Sequence, residues 1–379
     1  MDFGLSTEQR RRADRIRESA AKLPARPAGK PAGRELWAAA AEAGMTGLCL
    51  PAEHGGGGLG ALDTALCLEA FCDGGADTGL AFGLAAHLLA CGITVAEHAA
   101  EPVRADLVRG LASGRLIAAH AMTEDGAGSD LSRLATTATA CPDGEAYVLD
   151  GGKSFVSNAP LADVFVVYAS TTPAAGYLGI SGFAVPADLP GLRVGAPLTK
   201  AGLTGCAAAR VEFAGCRVPG KYLLGAADSG SGLFQKSMLW ERACLPAIHL
   251  GAMAAGLRRC VEHVRSRRQF GRRLGDFQAV SHRLAAMAQR LEGARLLLYR
   301  ACWLLDRADP EAATAAAMSK TAVAEAALAN AEDAIRVFGA RGYLLDDGIG
   351  ALLGDAVPLH IFSGTTEIQR EIIAQGLGL

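Results

Sequence analysis

The residue types best suited to chemistry fall in three short segments. The first is Met122–Asp130, MTEDGAGSD, dense in hydroxyls, carboxylates and small residues. Gly126 and Gly128 carry no β-carbon, so this loop can lie flat against a large planar partner. Thr123 and Ser129, with neighbouring backbone amides, can hydrogen-bond the rim of a ring system or a phosphate. The second segment is Gly151–Ala159, GGKSFVSNA, and the third is Ile361–Arg370, IFSGTTEIQR. The first segment alone reads as a surface turn, and the other two segments change that reading. Glu241 lies in the mostly apolar run SGLFQKSMLWERACLPAIHLGAM, a setting in which desolvation raises a carboxyl pKa.

These segments need a scaffold, and the bulk properties allow a large one. The 379 residues leave room for two or three core-bearing units, and 50% are hydrophobic. A formal charge of −2 gives no global pull toward nucleic acid or a membrane surface. Ten cysteines show no C-x-x-C pair, so they read as small core fillers in a reducing compartment, with no metal site. The N-terminal run QRRRADRIRE mixes Arg with Asp and Glu, a solvated helix face rather than a transit peptide, and a cytoplasmic location is expected. Thr78–Ala96 lacks Asp, Glu, Lys and Arg, but it contains His87 and has no aromatic belt, which predicts a buried helix rather than a membrane span.

Residues 1–115 read as helices with short breaks. Pro24, Pro27 and Pro31 punctuate the first connection, and helices are expected over Glu35–Ala43 and Leu62–Phe71. Between those helices Gly55, Gly57 and Gly60 fit G-x-G-x-x-G. Pro51 interrupts the approach, the preceding strand is a stub (Leu48–Leu50) and a helix follows, so a dinucleotide-binding turn is disfavoured. Residues 116–230 change to period two: Leu116–Ala119, Ala135–Cys141, Tyr147–Leu149, Lys153–Val156, Val164–Ala169, Gly182–Val185 and Ala208–Phe213 predict a small barrel or sandwich. From 231 to 379 helices return. Asp276 is expected as an N-cap, followed by the seam Phe277, Val280, Leu284, Met287, Leu291, Ala294, Leu298, Ala301 and Leu305. Glu311–Phe338 is an Ala-rich helix ended by Gly339. Pro246 removes a helical hydrogen bond to the carbonyl of Arg242, which predicts a kink beside Glu241.

Taken together and in this order, the three segments resemble those of the acyl-CoA dehydrogenase family of flavoproteins. The resemblance implies an α+β multidomain chain with an N-terminal helical domain, a middle β-barrel or sandwich domain, and a C-terminal four-helix bundle. It implies FAD as cofactor and α,β-dehydrogenation of an acyl thioester carried by CoA or a carrier protein. Met122, Thr123, Ser129, Phe155 and Ser157 fall on positions that contact the flavin ring or phosphates. Arg267, Phe270 and Gln278 match an arm that reaches a partner's FAD, and Arg336, Gly339, Thr365 and Glu367 occupy further cofactor positions. Ser129, Arg242, Ser363 and Gly364 are substrate-side positions. In much of the family the base precedes the Gly-Thr of the terminal motif. Here that residue is Ser363, too weak a base unassisted, so the resemblance points to the alternative helical position, Glu241. Ala340, Arg336 and Gly354 depart from the family pattern at the cofactor's adenine end. An electron-transfer flavoprotein as acceptor and a homodimer or homotetramer are implied. A flavin monooxygenase on the same fold and a non-catalytic thioester-binding homologue are the competing readings.

Overall fold

A computed structural model describes residues 4–26, 29–344 and 348–379; Pro27 lies outside the described residues. The first helix, α1 (Thr7–Ala20), begins with a reciprocal cap. The Ser6 hydroxyl accepts from the Gln9 N–H at 3.1 Å, and the Gln9 side chain accepts from the Ser6 N–H at 2.9 Å. Then come α2 (Arg34–Glu42), α3 (Ala61–Asp73), α4 (Thr78–Ala85), α5 (Ile93–His98) and α6 (Val103–Ala112). α4 and α5 form one apolar rod that widens into a π-helix over Ala86–Gly92. It is the buried helix expected from its composition. Within it the neutral ring of His87 accepts from the Ala118 N–H at 3.0 Å and faces the Leu111 carbonyl at 3.3 Å.

Leu48–Leu50 is a run of turns, not a strand. Of the glycines after it, Gly55 takes a left-handed turn at φ 87° with open space beside it, and the next two are there for packing. A β-carbon on Gly56 would lie 2.1 Å from the Leu50 carbonyl oxygen, and one on Gly57 2.6 Å from that of Leu48. The pattern that imitates a dinucleotide-binding turn is thus a left-handed turn at Gly55, a close approach of the chain to itself at Gly57 and room for the Asp306 carboxylate at Gly60.

The middle unit holds β1 (Ala118–Ala121), β2 (Thr137–Ala140), β3 (Ala146–Ser157), β4 (Val164–Ser170), β5 (Ile180–Pro186), β6 (Leu192–Val194), β7 (Ala208–Pro219) and β8 (Leu223–Leu224). The two expected strands on either side of Gly151 and Gly152 are one continuous strand, β3, because β7 pairs along its whole length. The order is β6-β7-β3-β2-β4-β5-β8, with β1 parallel to β4. β2 and β4 meet only at Thr137 and Ser170. The sheet therefore folds into two halves that share one core, where Leu149, Val156 and Val211 from one half meet Phe165, Val167 and Phe183 from the other.

α7 (Gly230–Cys244) and α8 (Ala247–Ser266) open the C-terminal unit, broken at Pro246 as its missing N–H requires. A small hairpin, β9 (Arg268–Gln269) and β10 (Arg272–Arg273), leads to α9 (Gln278–Asp306), α10 (Ala312–Phe338), α11 (Ala351–Ala356) and α12 (Thr366–Gly376). Asp276 does not cap α9. Its carboxylate turns back to the Arg273 N–H at 3.1 Å, and the helix starts only at Gln278. Met287, Leu291, Ala294, Leu298 and Ala301 form the buried seam of α9, while Phe277, Val280, Leu284 and Leu305 are half-buried toward its ends.

Candidate active site

Glu241 and the tail loop before α12 come together in space. Glu241 is 7% exposed, and the Ser363 hydroxyl donates to its Oε1. Arg242 Nε donates to the Ser363 carbonyl at 3.0 Å. Gln369 Nε2 reaches the Ser363 and Gly364 carbonyls at 3.3 and 2.9 Å. Ser363 and Gly364 both have left-handed backbones, with φ of 55° and 88°. A serine held there costs about 1 kcal/mol, which these donors offset. With its carbonyl turned onto Arg242, the N–H of Ser363 has no protein acceptor among the described residues. Burial raises the Glu241 pKa above the ordinary carboxyl range, opposed by the Ser363 hydrogen bond and by the charges of Arg242 and Lys320. This is a carboxylate suited to take a proton from carbon, beside an N–H open to a carbonyl oxygen.

The Met122–Asp130 loop is set by a pair that sequence reasoning missed. Lys153, on β3 and fully buried, donates to Glu124 Oε1 at 2.7 Å and to the Met122 carbonyl at 3.1 Å. The other acceptor sites of Glu124 take the Ala135 and Thr136 N–H groups at 2.6 and 3.0 Å. Burial raises the Glu124 pKa, but Lys153 and these donors outweigh it and hold the group ionised. Asp125 is tied to Ser154 and, at 2.6 Å, to Arg210. The available signal was Lys153 itself, a charge in a strand that alternates inward.

Between Lys153 and Val156 the β3–β7 register slips by a bulge. The bulge puts Phe155 at φ 57° and throws its ring outward, 67% exposed. Ser157 follows on the same strand. Thr123 joins this cluster through its carbonyl, which accepts from the Ser154 N–H at 2.8 Å. The Met122 side chain is buried in the core, so only its backbone faces this region; Ser129 is exposed. Nothing lies within 4 Å of where a β-carbon on Gly126 or Gly128 would stand, so the loop presents an open face.

Arg267, Phe270 and Gln278 stand elsewhere, exposed around the hairpin, with Phe270 92% exposed at its tip. Arg336 and Gly339 end α10 on the same end of the bundle, where Phe338 stacks on His263 of α8 at 4.3 Å. Arg336 pairs with Glu332. Thr365 caps α12, its hydroxyl accepting from the Ile368 N–H at 3.3 Å, and Glu367 is exposed in the first turn. A separate cleft of about 880 Å³, lined by Arg26, Asp77, Lys200 and Asp355, includes none of the residues around Glu241.

Residues 6–115, 119–216 and 228–378 match the N-terminal, middle and C-terminal domains of acyl-CoA dehydrogenases. The chain belongs to the acyl-CoA dehydrogenase family. It is 48% identical over 383 residues to an L-prolyl-[peptidyl-carrier protein] dehydrogenase of Pseudomonas fluorescens, covering 100% of both chains. A solved structure of PigA with FAD and proline superposes with a TM-score of 0.96 at 39% identity, over 100% of both chains. The prolyl acyl carrier protein oxidase AnaB superposes at 0.94 with 33% identity, over 99% of this chain and 100% of AnaB.

Proposed function

We propose that this chain is an FAD-dependent dehydrogenase of acyl thioesters whose substrate class is L-proline tethered to a carrier protein. Glu241 carries the reading: it is an acid sunk in an apolar helix, with a raised pKa and a hydroxyl donor from the tail loop. In this reading Glu241 accepts the α-proton. The Ser363 N–H holds the thioester oxygen, and Arg242 keeps the Ser363 carbonyl turned away from it. The surrounding core excludes water, which strengthens each of these interactions.

The residues present fit a flavin. An outward Phe155 beside an open glycine loop with hydroxyls at its rim is the surface that a flat, polar-edged ring would cover. Met122, Thr123, Ser129, Phe155 and Ser157 would hold the ring end, and Thr365 and Glu367 would supply the remaining contacts to the cofactor. Arg267, Phe270, Gln278, Arg336 and Gly339 would hold the pyrophosphate and adenine end of a second copy's cofactor, which makes the working unit a homodimer or homotetramer. Bound FAD supplies the acceptor for the hydride leaving the β-carbon. The external electron acceptor would be an electron-transfer flavoprotein, with molecular oxygen as its competitor. The cysteines of the described chain are all free thiols, which suits a cytoplasmic setting.

Anaerobic mixing of the yellow holoenzyme with L-prolyl-carrier protein and a panel of short and branched acyl-CoAs tests this. The prolyl thioester should bleach the flavin fastest, and Glu241→Gln should slow bleaching by about 10²–10⁴-fold. A wild-type rate in that variant removes Glu241 as base. Protein that takes up no FAD is a binding scaffold, and oxygen incorporated into the substrate marks a monooxygenase.

A further inference from the structure

Lys320 lies beneath the tail loop and has so far entered only through its charge. It sits within α10 and is 1% exposed. Its Nζ donates to the carbonyls of Leu359 and Gly364, both at 2.9 Å, and stands 5.8 Å from the centre of the Phe362 ring. A buried ammonium costs several kcal/mol to desolvate, so a position that only filled space would hold Leu or Met. Its two hydrogen bonds lie at the two ends of one short stretch, residues 359–364. That stretch contains Ser363, which touches the base.

We propose that Lys320 is a positioning residue for the dehydrogenation. It staples both ends of the tail loop, so that the Ser363 hydroxyl stays on Glu241 and the Ser363 N–H stays open to the thioester oxygen. It also places a fixed positive charge beside the base.

The groups around this pair are few. Glu241 faces Arg242 on its own helix, Lys320 on α10, the Ser363 hydroxyl from the tail loop and the Cys91 thiol of the π-helix. Lys320 faces Arg242, Glu241 and Glu367 of α12, and His249 of α8, whose ring burial keeps neutral. Burial, with Arg242, pulls the Lys320 pKa down to about 8, while Glu241 and Glu367 oppose the shift. The ammonium is therefore charged at neutral pH and lost in mildly alkaline solution.

This inference rests on Glu241 as the base, and the test separates the two. Flavin bleaching of the holoenzyme by prolyl-carrier protein is followed against pH in the wild type, Lys320→Met and Lys320→Gln. The wild-type rate should rise as Glu241 ionises and fall again near pH 8, where Lys320 loses its proton. Both variants should lose the alkaline fall and move the acid limb to higher pH. Their kcat should drop about tenfold or more, a share of what a positioned base contributes, with KM little changed. Lys320→Gln keeps one donor for a carbonyl and carries the comparison if Lys320→Met does not fold. A wild type with no alkaline fall, or variants that keep both limbs and the wild-type rate, overturns the inference. A wild type bleached by no thioester overturns the functional reading instead.

Discussion

Replacing Lys153 by Met tests how the Met122–Asp130 loop, the proposed flavin contact, is held. Lys153 is fully buried and Glu124 is 7% exposed, so the pair is shielded from solvent. The substitution fills the space but removes the bond to Glu124 at 2.7 Å and the one to the Met122 carbonyl at 3.1 Å. Breaking a buried ion pair costs about 3–5 kcal/mol, because the remaining charge stays buried. Glu124 keeps two backbone N–H donors, at 2.6 and 3.0 Å, which places the loss near the lower end, about 3 kcal/mol. Urea unfolding of the holoenzyme measures that loss, and titration of the apoprotein with FAD measures the consequence for the loop. FAD affinity should weaken about tenfold or more, since each 1.4 kcal/mol of loop order is a factor of ten. The pH dependence carries a sign. In the wild type Glu124 is held below its ordinary pKa, so its contribution is present above the unfolded carboxyl pKa and disappears as pH falls through the folded one. Without Lys153 the carboxyl protonates more readily, and the stability gap between variant and wild type should narrow in acid. Lys153→Met combined with Glu124→Gln should regain part of the loss. A cost below about 1 kcal/mol with unchanged FAD uptake would refute the argument, since removing a needed buried countercharge cannot be that cheap.

Ser363→Ala removes the donor on Glu241, so the acid limb of the bleaching profile should move to higher pH. The neutral-pH rate should fall by about tenfold, the worth of a hydrogen bond to a charged group. Asp306→Ala should cost about 1 kcal/mol in urea unfolding with no change in bleaching rate. Its carboxylate, from the end of α9, accepts the Ala61 and Leu62 N–H groups at 2.5 and 3.0 Å and caps α3, whose own N-cap is Gly60. His87 and His249 are buried and His120 is half-buried; all three are neutral, with pKa values lowered to about 4 for His87 and His120 and about 3 for His249. The unfolded chain binds protons on all three below about pH 6.5 while the folded chain does not. Stability should therefore fall with acid between about pH 6.5 and 4, by up to roughly 1.4 kcal/mol per pH unit per histidine, read by denaturation across pH.

Much of this protein was legible in the chain itself. The order of helices, sheet and helices follows from a change of hydrophobic period, and such periods are local. Glu241 was picked out by the family resemblance, and its apolar run supported the choice, since an acid there is costly wherever that helix packs. Pro246 had to break the helix beside it, since no fold can restore a missing N–H. The tertiary structure decided what depended on distant partners. Asp276 looked like a cap until Arg273 took its carboxylate. The glycines near Gly57 imitated a nucleotide loop but serve contact with Leu48 and Leu50. Two short strands became β3 because β7 runs beside both. Lys153 met Glu124, Lys320 reached the carbonyls of Leu359 and Gly364, and Ser363 met Glu241 only once sheet and bundle had closed. A side chain's type is set by its codon, but the desolvation that makes these charges strong, and the partners that make them tolerable, exist only in the packed interior.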